Sequence, residues 1–201
     1  MLFENTYKEI ESSSTGIYKE KGSKFIAYSF LTHSESEIKK NIENIKKKHN
    51  SANHYCYAYT LYPDKSIYRF NDDGDPASTA GKQILRQIQK FELTNILIIV
   101  VRYFGGIKLG IPGLIRSYKT ATTLTLENTN ILEKDIEEKY VILFSYHEMN
   151  NVMQLIKKYN LKIINSDLKE DCKITFLVPK KNSQSIISTF TKNHKLKILY
   201  Q

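Results

Sequence analysis

"NILIIVVRYFGGIKLGIPGLIRSY", residues 95–118, decides the fold. Residues 95–103 form a nearly continuous apolar run. A half-buried strand would alternate, so this pattern predicts a strand covered on both faces. Gly105 and Gly106 end the run. Leu114, Tyr118 and Ala121 then share one face at helical spacing. Pro112 suits a first helical turn, where a missing N–H does no harm. The stretch therefore reads as a buried strand, a glycine corner and a helix, an arrangement that often holds phosphate.

Neither standard phosphate loop fits. A P-loop needs Gly-Lys-Ser/Thr after its four-residue gap, and here Gly110 is followed by Ile111 and Pro112. The dinucleotide fingerprint also fails, because the glycines fall at 105, 106, 110 and 113. A more general anion site remains. Arg102, Lys108 and Arg116, with Lys82 and the backbone at Gly105 and Gly106, could converge on phosphate at a helix N-terminus. The competing reading gives Gly110 and Gly113 to close packing and pairs both arginines with carboxylates. Those carboxylates would come from "NDDGDPASTAGK", residues 71–82, where Asp72, Asp73 and Asp75 sit in a turn. Read as an EF-hand, that segment has Pro76 for Gly and Lys82 for Glu, so calcium does not fit. A structural arginine–aspartate network or a weak ligand site are the alternatives, with Ser78 or Thr79 capping the next helix.

Outward from this core, residues 24–31, 55–62 and 66–70 read as strands. Ile38, Ile42 and Ile45 mark a helix with Ser34 as its cap, and Ile84, Ile88 and Phe91 mark another. All eight glycines lie at or before Gly113, and all four arginines at or before Arg116. The charged stretch 132–139 is expected to link two domains, residues 1–134 and 135–201. The second reads strand (139–146), helix (151–159), strand (161–167), strand (172–178), helix (183–193), strand (196–200). That order is the ferredoxin-like βαββαβ unit. Both domains are expected to be α+β sandwiches with helices on one face of a sheet.

Composition narrows the function. The 201 residues carry a formal net charge of +9, which favours a polyanionic partner, RNA first. The two cysteines, Cys56 and Cys172, have no disulfide or metal spacing, and the amino-terminal segment lacks the pattern of a secretion signal. The longest apolar run is too short to span a bilayer, so a cytoplasmic location and no membrane are expected. His54 beside Cys56 permits a thiol–imidazole pair, but Cys56 alternates with Ala58 and Thr60 as a core position does. On the other face of that strand, Tyr55, Tyr57 and Tyr59 form a stripe that could stack bases or simply belong to a core. Lys46, Lys47 and Lys48 end the first helix, where cations suit the dipole. No catalytic set, metal site or cofactor is expected.

Five segments carry a resemblance: "GKQILRQIQKFELTNILIIVVRYFGGIKLG", "GSKFIAYSF", "HYCYAYTLY", "RFNDDGDPASTAGK" and "GLIRSYKTA". In order and spacing they are similar to the YigZ/IMPACT family over nearly all of residues 17–125. The resemblance implies a two-domain bacterial member whose first domain has the ribosomal protein S5 domain 2-like fold. The pair would be similar to domains IV and V of elongation factor G, which touch ribosomal RNA. Eukaryotic IMPACT regulates translation under stress. Two departures are Pro112, where relatives more often carry a small residue, and Asp75, where Glu is usual.

The functional expectation is a non-enzymatic factor that binds RNA or the ribosome, with a protein partner in translation also open. The alternatives are an enzyme or binding protein for a small anionic ligand at residues 105–113, and a protein-interaction module.

Overall fold

The computed structural model describes residues 5–169 and 171–201; residues 1–4, part of the segment read for a secretion signal, lie outside them. Two compact units cover Tyr7–Lys134 and Asp135–Gln201, with residues 5 and 6 grouped with the second. No helix among the described residues is long and apolar enough to cross a membrane.

The first unit contains β1 (Thr6–Ile10), β2 (Ser14–Glu20), β3 (Ser23–Leu31), α1 (Glu35–Lys48), β4 (His54–Leu61), β5 (Ile67–Asn71), α2 (Gly81–Lys90), β6 (Ile96–Tyr103), α3 (Gly110–Glu127) and β7 (Ile131–Asp135). Five of the strands make an antiparallel sheet in the order β2-β3-β6-β4-β5, so the apolar run occupies its centre. Ile96, Ile98 and Val100 face α2 and α3, packing with Ile84, Ile88, Leu114 and Tyr118. Leu97, Ile99 and Val101 face the opposite way, toward Ile38 and Ile45 of α1. Both faces of β6 are therefore covered, which is why its sequence does not alternate. The expectation that helices cover one face is corrected: α1 lies on the other, making three layers. Ser34 caps α1 through its side chain, as its sequence position indicates.

The charged stretch 132–139 is not a loose linker. β7 pairs with β1 in a two-stranded ribbon, and β8 begins at Glu137. Lys134 on β7 is ion-paired with the buried Glu9 of β1, which gives this charged sequence a reason to be extended. Burial pushes the Glu9 carboxyl up, but Lys134, Asn95 and His33 together outweigh it and hold it below the ordinary range.

The second unit is β8 (Glu137–Ser145), α4 (Met149–Lys158), β9 (Lys162–Leu168), β10 (Asp171–Pro179), α5 (Ser183–Thr191) and β11 (Lys197–Tyr200). Its antiparallel sheet has the order β11-β8-β10-β9, the split arrangement anticipated from the βαββαβ order. Ile142, Phe144, Ile174, Phe176 and Val178 meet Val152 and Ile156 of α4 and Ile186 and Phe190 of α5 in one core. The α+β class read from the sequence is the class of both units.

Candidate functional site

The three aspartates after β5 divide their work. Asp72 accepts hydrogen bonds from the backbone N–H of Ser78 at 2.9 Å, of Ala80 at 2.9 Å and of Gly81 at 2.8 Å. It thus caps α2 from a distance, while Ala80 at the N-cap position offers no side-chain bond. Ser78 and Thr79 are not the cap; the Thr79 hydroxyl bonds back to the Pro76 carbonyl at 2.6 Å. Asp73 accepts from the Tyr55 N–H at 2.7 Å, tying the turn to β4. The positive φ of Asp73 (40°) and Gly74 (87°) then turns the chain so that Asp75 points inward.

Asp75 is buried and sits at the centre of a polar cluster under the sheet. It pairs with Arg102 of β6 and accepts a hydrogen bond from the Tyr118 hydroxyl of α3. His54 Nε2 lies 3.6 Å from Oδ1, the oxygen that Arg102 also meets, and His54 Nδ1 is 2.7 Å from the Asp73 carbonyl oxygen. Cys56 donates toward the Asp72 carbonyl at 3.0 Å and the Tyr118 oxygen at 3.2 Å. Arg102 is only 7% exposed and lies 5.8 Å from the ring centres of both Phe25 and Phe104. A solvent-facing role for Arg102 in phosphate binding is corrected: Asp75 already occupies it, because an unpaired guanidinium this deep would be very costly.

Burial raises the Cys56 thiol well above its ordinary range, and the nearby aspartates add to the effect. Burial, Cys56 and Asp75 likewise raise the Tyr118 phenol. Neither group is ionised near neutrality, so His54 and Cys56 do not make an activated thiolate. Among the described residues, no three His, Cys, Asp or Glu side chains are grouped to hold a metal ion.

The glycine corner has a committed side and an open side. A Cβ on Gly105 would lie 1.9 Å from the Gly22 carbonyl carbon, so only glycine lets β6 leave the sheet past the β2–β3 turn. The Gly105 N–H donates to Ser23 Oγ at 3.1 Å, which takes it away from any phosphate. Gly106 has φ 86° with nothing around its Cβ position, and Gly110 has φ 68° at the start of α3. Lys108, Gly110, Ile111 and Leu114 join Asp75 and Arg102 around a cavity of about 230 Å³. Phe104 and Ile107 on the loop and Ile111 in the first turn of α3 stand exposed.

Arg116 does not reach the aspartates. Its Nη2 lies 2.5 Å from Oε1 of Glu20, and its guanidinium side chain stays 60% exposed. Arg116, with the Tyr18 hydroxyl, holds the Glu20 carboxyl below the ordinary range. Sequence reasoning missed Glu20, which lies in the charged run "YKEKGSK" with nothing to distinguish it. Lys82 is exposed on the first turn of α2.

The tyrosine stripe of β4 lies under α1 and is not an open face. Tyr59 is 4% exposed, and its hydroxyl donates to Glu35 at 3.0 Å. Burial and Glu35 push its pKa up to about 12. Tyr57 stacks on Tyr59 with centres 6.5 Å apart, and Tyr55 donates to the His49 carbonyl at 2.5 Å. Tyr55 and Tyr57 keep partial exposure, whereas Tyr59 has no free ring face for a base.

Residues 21–126 match the family model of the Impact N-terminal domain, a span that holds His54, Cys56, Asp75, Arg102 and Tyr118 together. The chain belongs to the IMPACT family. It is 35% identical over 149 residues to the IMPACT family member YigZ of Escherichia coli, covering 73% of each chain. It is 30% identical over 186 residues to an IMPACT family member of Haemophilus influenzae, covering 90% of this chain and 89% of that one. A solved crystal structure of a hypothetical protein matches with a TM-score of 0.77 and 28% identity, over 98% of both chains. Membership is thus carried by sequence along most of the chain, and the fold by a structure of equal length.

Proposed function

We propose that this IMPACT-family chain is a cytoplasmic, non-enzymatic factor that binds RNA or the ribosome and acts in translation or its regulation. The observation that carries the reading is the distribution of charge at the glycine corner. The acids there are spent internally, Asp75 on Arg102 and Glu20 on Arg116. Lys108 and Lys82 are exposed and carry no ion pair among the described residues, and Arg116 keeps an open guanidinium face. With a net charge of +9 behind them, these groups favour phosphate by counterion release. The family resemblance supplies the translational setting. Lys82, Lys108, Arg116 and the Gly106 backbone are the proposed phosphate contacts.

The test is co-sedimentation with ribosomes and anisotropy with labelled RNA over a salt series. Binding should weaken steadily with salt, and Lys82→Ala with Lys108→Ala should lower affinity in a folded protein. No binding to either at low salt would refute the reading.

A second reading is favoured by one observation. Arg102 Nε is buried with no hydrogen-bond partner among the described residues, beside the cavity that Lys108 and the start of α3 line. A small anion there would make this a ligand-binding protein. Calorimetry with phosphate and nucleotides separates the two: saturable uptake of one equivalent favours the pocket. Binding of a protein partner that persists at high salt would instead assign the exposed Phe104, Ile107 and Ile111 to an interaction module.

A further inference from the structure

The carboxyl end of α1 forms a second cationic surface, away from the glycine corner in sequence and built on the opposite face of the sheet. His49 accepts or donates on both ring nitrogens, with Tyr28 oxygen 2.8 Å from Nε2 and Tyr103 oxygen 2.8 Å from Nδ1. Lys48 Nζ sits 5.0 Å from the Tyr28 ring centre, and Lys46 Nζ sits 5.5 Å from that of Tyr55. Lys24, directly across from Tyr103 in the β3–β6 register, approaches from the sheet. Lys24 and Lys48 act on His49 together, adding to burial in lowering its pKa. None of the three lysines is ion-paired among the described residues.

Helix electrostatics account for part of this arrangement only. Lysines in the last turn stabilise the negative end of the α1 dipole, whether or not anything binds. Lys24 belongs to a strand and has no such role, so beside Lys48 it adds positive charge that no ion pair among the described residues offsets. Beside them, a groove of about 340 Å³ runs between β2 and α1, bounded by Lys48, Tyr28, Ser14, Thr15, Asn41 and Asn44. Its walls combine an aromatic ring with amide and hydroxyl groups, the equipment for an unpaired base edge. A duplex hides its base edges in stacked pairs and could use the lysines but not the groove.

We infer that this surface binds single-stranded RNA, with phosphates on Lys24, Lys46 and Lys48 and a base entering the groove beside Tyr28. The inference rests on the RNA reading above and gives it a second contact site and a preferred strand form.

The experiment measures anisotropy of a fluorescein-labelled oligouridylate of about twelve nucleotides with the full-length protein, across a salt series. Lys24→Ala/Lys46→Ala/Lys48→Ala should lower affinity at least tenfold at low salt. It should also make the slope of log K against log salt shallower by about 2, as three lost single-strand phosphate contacts require. A duplex of equal length should bind more weakly than the single strand. The His49 ring-proton NMR signals should shift on titration with the oligonucleotide, a readout that does not depend on the variant folding. The inference is overturned if the triple variant binds with unchanged affinity and slope, or if the His49 signals stay fixed while wild type binds. If wild type sediments with ribosomes but binds no free RNA, this site falls and the broader function stands; if it binds neither, both fall. If only Lys82→Ala/Lys108→Ala loses binding, the function stands and this surface is excluded.

Discussion

Asp75 is the residue on which the first unit's polar interior turns. Removing it leaves Arg102 buried among aromatic rings without its counter-ion. Asp75→Ala should therefore cost about 3–5 kcal/mol, measured by urea unfolding. A paired replacement, Asp75→Leu with Arg102→Met, should cost much less, because no charge is left stranded. A double variant as unstable as the single one would show that the ion pair is not the main term. Gly105 and Gly106 make a second contrast. Gly105→Ala drives a methyl into the backbone at Gly22 and must move the turn, so it should lower Tm sharply. Gly106→Ala meets no atoms and incurs only the left-handed strain, about 1–2 kcal/mol. At this scale the sequence was partly legible. Arginine–aspartate pairing was one of two open readings, but three aspartates within four residues look alike until φ at Asp73 and Gly74 sends them apart. The Tyr118 hydroxyl was invisible, since helical spacing reports which face a residue takes and not what its tip meets.

Among the elements, α2 depends on a cap lent by another segment. Asp72→Ala would free three backbone N–H groups at once, and should cost about 1–2 kcal/mol with faster amide exchange at Ala80 and Gly81. Unchanged exchange at those amides would mean that water replaces the carboxylate without loss. Local pattern could not reveal this cap, because an N-cap side chain normally sits within three residues of the amides it serves and Asp72 lies eight residues before Ala80. The strands and helices themselves were legible. β6 declared itself by an unbroken apolar run, and α1 by isoleucines at 38, 42 and 45. Which side of the sheet α1 covers was not legible, although the run in β6 contained the hint: a strand apolar on both faces needs cover on both. For the same reason, the sequence of β4 does not decide between base stacking and core for its tyrosines. Short β1 and β7 lack an apolar stripe of their own, and each pairs with the other across more than a hundred residues of sequence.

For the whole molecule, the pH dependence of stability follows from which groups folding perturbs. Burial, Lys48 and Lys24 lower His49 below its ordinary value of 6.5. The folded chain therefore binds fewer protons than the unfolded chain just below that pH, and stability rises with pH there. The contribution is complete above about 6.5 and is lost as pH falls toward the folded value. Glu9, Glu20, Glu92 and Glu148 are all held below their ordinary 4.5, so their contributions persist to lower pH and disappear as pH falls through their folded values. Acid also adds positive charge to a chain already at +9, which increases self-repulsion. The expected profile is a plateau above neutrality, a first decline below about 6.5, and a steeper one below about 4.5. With fourteen tyrosines and no tryptophan, tyrosine fluorescence during urea unfolding gives the readout. His49→Gln should remove the first decline and leave the second. A wild type that gains stability between pH 7 and pH 6 would mean that His49 is charged in the folded chain. In that state both ring nitrogens would donate, and Tyr28 and Tyr103 would both act as acceptors around a cation.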